Sequence, residues 1–558
     1  MSTNNQDISQ PQLVAHRWAE GAIVYQIYPR SFKDSNGDGI GDLPGIIDGL
    51  DHVQQLGVNA IWLSPFYPSP MADFGYDISD YCNVDPVFGT LDDFKRLLAE
   101  AAKRNIRIMV DLVPNHTSDE HAWFLESKQS RDNPKADWYV WKDPNPESEP
   151  GRPLPPNNWR DQLAGDVAWE WNEARGQFYL HSFDVRQPDL NWSNPDVRDA
   201  IKHVMRFWLD LGVDGFRVDA VYWMAKDPLF RDDDRNPHYL EGSDKRANAL
   251  IRNNSSGWPP VYAYLNEMAR VLKEKKYQDK SRFMVTEAYP RRHNLIASYM
   301  AFYEGIDPEV AAPFNFEGLE LGWRASSWTR FLRAFHLALE QHSPLCVSSY
   351  AFGNHDKKRL VSRIGLPAAR SAAVMEFTLP GMVFVYNGEE IGMRNVDIPP
   401  ELVHDPEARH NPRQGRDPVR TPLQWSPGKH AGFTDGPTTW LPIAADYKKY
   451  NIKTEHNDPQ SFLSLYQQLA KLRNGSEALR YGRIQVLEVG HEDVVGYVRS
   501  YKNEHWVVLI NFSDKPVICV PGVKLTKFVI SSEPKTKLAS NPEGKVQLLA
   551  HECALFLQ

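Results

Sequence analysis

The sequence predicts an α/β protein built around eight parallel strands, followed by a smaller antiparallel β domain. Two observations predict this class. From residue 22 to residue 473, short apolar segments of strand length alternate with amphipathic segments of helix length, which is typical of parallel βαβ units. From residue 476 onwards the chain changes to short alternating strands. We therefore predict a (β/α)8 TIM barrel with an inserted subdomain after strand 3 and a C-terminal antiparallel β-sandwich domain.

A separate apolar segment predicts each strand of the barrel. Eight strand-helix units are the number that closes a barrel, and the sixth strand has the weakest pattern. Helices are predicted over 46–56, 91–104 and 462–473, where apolar residues recur at helical spacing. The predicted strands are 22–28, 59–63, 106–112, 213–219, 282–287, 311–316, 345–352 and 382–386. In the C-terminal domain, strands are predicted over 505–511 and 546–557.

Two long segments interrupt the alternation. Residues 117–186 are rich in Trp, Pro and Asn, and residues 391–455 are rich in Pro and charged residues. Insertions of such length are normally functional. The predicted domains are a catalytic barrel formed by residues 1–116 and 187–475, an inserted subdomain at 117–186, and a C-terminal β domain at 476–558.

Composition and charge exclude several classes of partner. The 558 residues carry a formal net charge of −9, which disfavours nucleic acid and anionic membranes. Residues 1–20 are polar and lack a signal peptide, and no apolar run is long enough to span a membrane. The four cysteines are scattered, which indicates free thiols in a reducing compartment. We expect a cytoplasmic monomer or homodimer with no organic cofactor.

Acidic residues end several of the predicted strands. Arg217 and Asp219 lie two apart in the fourth strand, so they share a face, and a nearby guanidinium favours an ionised carboxylate. Taken alone, this is more simply a structural ion pair, because ion pairs are common. However, Asp111 with His116, Glu287, and His355 with Asp356 end three further strands.

This convergence points to a particular chemistry. Active sites of barrels lie at the C-terminal ends of the strands. Carboxylates gathered there repel one another, so their presence indicates a function. Glycosyl transfer uses such a pair: one carboxylate attacks the anomeric carbon, and a protonated one donates to the leaving oxygen.

A second cluster of oxygen side chains lies in the loop 34–42. Oxygen donors fall at alternate positions, and Gly39 lies where a sharp turn is needed, as in the first part of a calcium loop. The twelfth position is Gly45 rather than Glu, so this is not an EF-hand. A solvated turn is the alternative interpretation. The predicted metal ligands are Asp34, Asn36, Asp38, Asp42 and the backbone carbonyl of Ile40.

The motifs, in this order, resemble the α-amylase family of glycoside hydrolases, within its oligo-1,6-glucosidase/α-glucosidase subfamily. The similarity runs from about residue 20 to the end of the chain. The matching segments are DLVPNH at 111–116, QPDLN at 187–191, GFRVDA at 215–220, TEA at 286–288, GNHD at 353–356, NGEEIG at 387–392 and GRDPVRTP at 415–422.

The resemblance implies roles for individual residues. Asp219 would be the nucleophile, Glu287 the general acid/base, and Asp356 the stabiliser of the transition state. Arg416 would close the pocket by pairing with Asp77, with Arg420 as the less favoured candidate. The implied substrate-binding residues are Tyr76, Asp77, His116, Arg217, His355 and Arg416. A structural divalent ion, usually calcium, is implied for the loop 34–42.

The implied activity is that of a retaining, exo-acting α-glucosidase that releases glucose from the non-reducing end of short α-glucosides. Ala220 follows the nucleophile, and a small residue there accompanies α-1,4 (maltose-type) or sucrose-type preference over α-1,6 in similar enzymes. Lys357-Lys358-Arg359 and residues 162–166 depart from the family pattern. Both segments leave the aglycone preference, and the share of transglycosylation, open.

Two alternative functions predict different features. A sucrose isomerase or trehalose synthase-like enzyme would use the same three carboxylates for intramolecular glucosyl transfer. Non-catalytic relatives that escort membrane transporters carry a transmembrane helix and lack an intact trio, which makes them a remote alternative for this chain.

Overall fold

The computed structural model describes residues 17–242, 244–289, 294–534, 536 and 544–558, so most of the polar start lies outside the described residues. Eight parallel strands form one sheet that runs around a barrel. In chain order, strands β1 to β8 are Ile23–Ile27, Ala60–Leu63, Arg107–Leu112, Gly215–Val218, Phe283–Thr286, Ala311–Pro313, Ser349–Ala351 and Met382–Tyr386.

The strands follow one another around the barrel in sequence order. The sheet runs from β6 through β5, β4, β3, β2 and β1 to β8 and β7. A parallel bridge between Asn315 and Tyr350 joins the two ends beside β6 and β7. The predicted (β/α)8 barrel is therefore confirmed. The sixth strand, β6, has the weakest sequence pattern and is one of the shortest strands.

Eight helices surround the strands. Helix ends follow local chemistry: Asn194 caps the third helix by accepting from the amide of Asp196, and Gly212 ends that helix with a φ of 117°, a conformation that glycine adopts without strain. In chain order, helices α1 to α8 are Leu43–Leu56, Leu91–Lys103, Pro195–Leu211, Pro260–Leu272, Leu295–Gly305, Ala325–His342, Leu366–Thr378 and Phe462–Gly475.

Alternation along the strands decides which side chains face the barrel interior. Val24, Met109 and Val285 belong to the interior cluster, whereas their strand neighbours pack against the helices. Residues two further along share the interior face, which directs Asp111 and Glu287 to the C-terminal mouth. The strands approach so closely that a Cβ on Gly215 would lie 2.1 Å from the carbonyl oxygen of Phe283.

The segment between β3 and α3 forms a small unit beside the barrel mouth. Its three-stranded antiparallel sheet orders Trp141–Lys142, Gln177–Leu180 and Trp169–Asn172, and Trp159 and Phe230 are packed with that sheet. Bridges from His116 to Asp189 and from Tyr139 to Leu190 join the segment to the residues that follow it.

The C-terminal part is a sandwich of two antiparallel sheets. The predicted single strand over 546–557 is wrong: it is two strands in different sheets, because the chain turns at His551, whose φ is 53°. Buried side chains from both sheets form one core. The five-stranded sheet orders Arg483–Leu487, Val494–Tyr501, Glu504–Asn511, Cys553–Leu557 and Lys527–Ser531, and the second sheet pairs Val517–Cys519 with Val546–Leu548.

Two sequence expectations concern the whole chain. All four cysteines are free thiols, as predicted. Among the helices of the described residues, none combines the length and apolar character needed to cross a bilayer.

Candidate active site

The candidate active site is a cavity of about 750 Å³ at the C-terminal end of the barrel. Loops that follow several different strands form its walls, as expected of catalytic barrels. Arg217 is 1% exposed and lies beneath the cavity, whereas Asp77 is not part of its lining. The predicted site residues that line the cavity are Tyr76, His116, Asp219, Glu287, His355, Asp356 and Arg416.

Arg217 holds three carboxylates together. It is the register partner of Asp111 on the neighbouring strand. Its Nη1 contacts Asp219 and lies 3.0 Å from Asp111, and its Nη2 lies 2.8 Å from Glu287. Burial alone would lower the pKa of Arg217, but these carboxylates raise it well above its usual range. Arg217 is therefore a fixed positive charge under the two predicted catalytic acids.

Asp219 and Glu287 are held beside each other by the guanidinium of Arg217. Burial, and then the charge of Glu287, raise the pKa of Asp219, while Arg217 opposes the rise without outweighing it. The expectation that Arg217 by itself keeps Asp219 ionised is therefore incomplete.

Two further groups orient Glu287. Ala220 has a φ of 49°, and its backbone N–H donates to Oε2 of Glu287 at 2.8 Å. The hydroxyl of Tyr289 donates to Oε1 at 2.9 Å. Tyr289 was not identified from the sequence, although its place two residues after Glu287 is a signal that could have found it.

Asp356 lies among positive groups. Burial would raise its pKa, but the guanidinium groups of Arg416 and Arg420 hold that pKa well below its usual range. Arg420 Nη2 lies 3.0 Å from Asp356 Oδ1, and Arg416 Nη1 lies 3.4 Å from the same oxygen. Asp356 therefore stays ionised.

Tyr76 and His355 form a stacked pair at the floor of the cavity. Their rings are parallel to within 1°, with centroids 5.4 Å apart. The Tyr76 hydroxyl lies 2.8 Å from His355 Nε2 and donates to Asp111 at 3.1 Å. Burial lowers the pKa of His355 to about 3, so this imidazole is neutral near pH 7 and available for hydrogen bonding.

Arg416 lines the cavity, and its carboxylate partners are different from the one predicted. Arg416 Nη2 lies 2.5 Å from Asp73 and 2.7 Å from Asp405. The predicted partner, Asp77, instead accepts from Ser69 Oγ and from the amides of Ala72 and Asp73. The predicted Asp77–Arg416 pair is thus wrong, because the carboxylate of Asp77 is occupied within its own loop.

His116 lies on the side of the cavity formed by the inserted segment. Its Nε2 is 3.1 Å from the carbonyl oxygen of Tyr76 and 3.1 Å from Gln187 Nε2. Gln187 also donates to Asp73 at 3.2 Å, and it begins the segment 187–191 singled out in the sequence. Burial lowers the pKa of His116 to about 4, so its ring is neutral near pH 7.

The loop 34–42 has the donor chemistry of a hard-cation site. Asn36 and Asp38 each accept one backbone N–H from the residue two positions on and are exposed, which leaves further lone pairs for a ligand. Both oxygens of Asp34 accept amides within the loop. Asp42 caps α1. No three His, Cys, Asp or Glu side chains within the described ranges converge as a metal group, but the alternating oxygens suit Ca²⁺.

With this geometry in view, comparisons with known proteins identify the family. A family model described as "Alpha amylase, catalytic domain" matches residues 26–482. The chain belongs to the α-amylase family. It is therefore a glycoside hydrolase of that family, as the motifs indicated.

Individual relatives of this α-amylase family member are similar over nearly their whole length. The chain is 38% identical to an oligo-1,6-glucosidase of Heyndrickxia coagulans, covering 90% of this chain and 93% of the relative. It is 37% identical to maltase A2 of Drosophila melanogaster, covering 89% and 87%. The solved structure of an α-glucosyl transfer enzyme, XgtA, matches with a TM-score of 0.88 at 36% identity, covering 97% of this chain and 99% of that one.

Proposed function

We propose that this glycoside hydrolase is a retaining exo-α-glucosidase that removes one glucose from the non-reducing end of short α-glucosides. The observation that carries the proposal is the ion-pair cluster of Arg416 in the cavity wall, which we interpret as the closed far end of the cavity. Arg416, held between Asp73 and Asp405, blocks a longer chain from passing beyond the catalytic pair. An open cleft would instead favour internal cleavage.

The proposed mechanism is double displacement. Asp219 attacks the anomeric carbon while Glu287 protonates the leaving oxygen, which breaks the glycosidic bond and leaves a glucosyl-enzyme ester. Glu287 then takes a proton from water, whose oxygen attacks the anomeric carbon and displaces Asp219. Both carboxyls are held by the single guanidinium of Arg217, and this close pairing supports retention, because inverting pairs are separated by about 6.5–9.5 Å to admit a water.

The surrounding groups would stabilise this reaction. Ionised Asp356 would stabilise the positive charge that develops on the sugar in the transition state. Neutral His116 and His355 would hydrogen-bond sugar hydroxyls without adding charge. A sugar hydroxyl in place of water in the second step would give transglycosylation.

Ala220 supports a preference for α-1,4 or sucrose-type linkages. Its side chain is buried beside Glu287, and its left-handed backbone disfavours a β-branched residue. The difference in size between alanine and valine at this position is worth about 1–3 kcal/mol in substrate discrimination.

Product analysis on maltose, isomaltose, sucrose and trehalose tests this proposal. Proton NMR should detect α-glucose first, and β-glucose first would contradict retention. With azide, Asp219→Ala should give β-glucosyl azide, because azide attacks from the side of the missing carboxylate. Glu287→Ala should give α-glucosyl azide from the ester intermediate. If Asp219→Ala gave the α-azide and Glu287→Ala gave the β-azide, Glu287 would be the nucleophile and Asp219 the acid/base.

Intramolecular glucosyl transfer is the second candidate. A solved trehalulose synthase matches with a TM-score of 0.85 at 31% identity, covering 97% of this chain and all of that one. Such an enzyme would return a new disaccharide from sucrose. Equal amounts of glucose and fructose would instead support hydrolysis.

We also propose a structural divalent cation, calcium by its oxygen donors, in the loop 34–42. The free thiols support a cytoplasmic location. We propose a monomer or homodimer, which light scattering would distinguish.

A further inference from the structure

Basic side chains surround the entrance of the cavity. We call Lys245, Arg252, Lys357, Lys358 and Arg413 the cationic rim; all five line the cavity. They come from three separate loops, which follow β4, β7 and β8. The rim side chains are half-buried or exposed, whereas the predicted nucleophile and acid/base are buried. The rim therefore lies towards solvent, where a leaving group projects when the far end is closed.

Only part of this charge is neutralised. Lys245 pairs with Glu407 at 2.7 Å, and Lys357 pairs with Glu320 at 2.6 Å. Within the described part of the chain, no carboxylate forms an ion pair within 4 Å of Arg252, Lys358 or Arg413, although Asp233 attracts Arg252 from a longer distance.

Among these three residues, Arg252 gives the strongest evidence for a bound ligand. Its Nε is buried without a hydrogen-bond partner, and its Nη2 reaches only Asn248 Oδ1, at 3.5 Å. A buried guanidinium N–H without an acceptor is costly. An acceptor supplied by a ligand would remove that cost.

We propose that the aglycone of the preferred substrate carries an anionic group, a phosphate monoester or a carboxylate, bound by Arg252, Lys358 and Arg413. This inference rests on the proposed function and names its substrate class. Three unpaired cations in a chain of net charge −9 repel one another, and one anion between them would reverse that cost. The guanidinium groups suit phosphate and carboxylate geometry.

The anion belongs on the aglycone rather than on the transferred glucose. Asp73 and Asp405 at the closed end would repel an anionic group on that sugar. The reaction itself is unchanged: the glycosidic bond breaks, Glu287 protonates the leaving oxygen, and the anionic group departs with the aglycone.

The test compares maltose with two analogues, one bearing a phosphate on C6 of the reducing glucose and one with glucuronate as the reducing unit. For the wild-type enzyme, kcat/KM should favour an anionic analogue by about tenfold or more, and salt should reduce that preference through screening. Preference for only the phosphate, or for both analogues, would identify the group.

Substitutions in the cationic rim test which side chains cause the preference for an anionic analogue. Arg252→Gln combined with Lys358→Gln should lower kcat/KM for the anionic analogues more than for maltose, which brings the ratio of the two kcat/KM values close to one. The matched control is Lys275→Gln combined with Lys276→Gln, which also removes two charges but lies just before β5, at the opposite end of the barrel. The control should keep the wild-type ratio.

Product inhibition gives a measurement that needs no variant. Glucose 6-phosphate should inhibit the wild-type enzyme more strongly than glucose by a similar factor. Equal kcat/KM for maltose and both analogues, with equal inhibition by the two products, would overturn the anionic aglycone and leave the glucosidase intact. Failure to cleave any α-glucoside would overturn the proposed function itself.

Discussion

Asp73→Asn tests whether the closed end of the cavity binds the transferred glucose. Asp73 is 3% exposed and accepts from Arg416 at 2.5 Å and from Gln187 at 3.2 Å. Hydrogen bonds to charged groups contribute about 1.5–3 kcal/mol. Arg416 would keep Asp405, so we expect a loss of about 2–3 kcal/mol, which lowers kcat/KM about 30- to 150-fold.

Asp77→Asn is the matched control, because it makes the same chemical change in the same loop. Asp77 accepts from Ser69 Oγ and from two backbone amides, and an amide side chain keeps only one acceptor oxygen. We expect a loss of about 1–3 kcal/mol in the free energy of unfolding and a lower Tm. The kcat/KM of the folded Asp77 variant should fall less than that of Asp73→Asn.

Steady-state kinetics on maltose and 4-nitrophenyl α-glucoside, together with thermal unfolding, separate the two outcomes. Asp73→Asn should also cleave glucosides blocked at the non-reducing sugar better, relative to maltose, than the parent does. If Asp77→Asn loses the greater catalytic efficiency at an unchanged Tm, the assignment of the closed end to Asp73 is refuted.

Four further predictions follow from other parts of the molecule. Glu287→Gln should lower kcat/KM on maltose by about 10²- to 10⁴-fold but spare kcat/KM for glucosides whose leaving groups need no protonation, because kcat/KM reports the first step only; equal losses of kcat/KM on both would contradict an acid role. Burial raises the pKa of Glu455 to about 8. The folded state therefore binds the proton more tightly than the unfolded state, and stability is lost as the pH rises from about 4.5 to about 8, by up to about 1.4 kcal/mol per pH unit. Glu455→Gln should flatten this fall in chemical denaturation, and an unchanged slope would exclude the group. Ala220→Val should lower kcat/KM for maltose relative to isomaltose by about tenfold, and an unchanged ratio would remove this residue from linkage selection. Chelation should lower Tm if the loop 34–42 holds calcium, and calcium should restore it where magnesium does not; a Tm indifferent to both would contradict the site.

The sequence by itself determined the barrel and the principal acids. Strand and helix periods are local, so eight units could be counted along the chain, and the end of each strand located a polar motif. Asp111, Asp219, Glu287 and Asp356 could be placed at one mouth because parallel strands bring their carboxyl ends together there. That placement needs only the backbone pattern and its topology, whereas the family resemblance singled out three of the four as the catalytic trio.

Only the tertiary structure decided which loop residues meet at that mouth. Asp73 and Asp77 lie in one loop and are the same residue type, and the sequence alone favoured the wrong one. Arg416 reaches Asp73 across 343 positions of the chain, and Asp405, from the same insertion as Arg416, carries no motif. Such partners are selected by side-chain direction and loop packing over long separations, which the local spacing of residues does not encode.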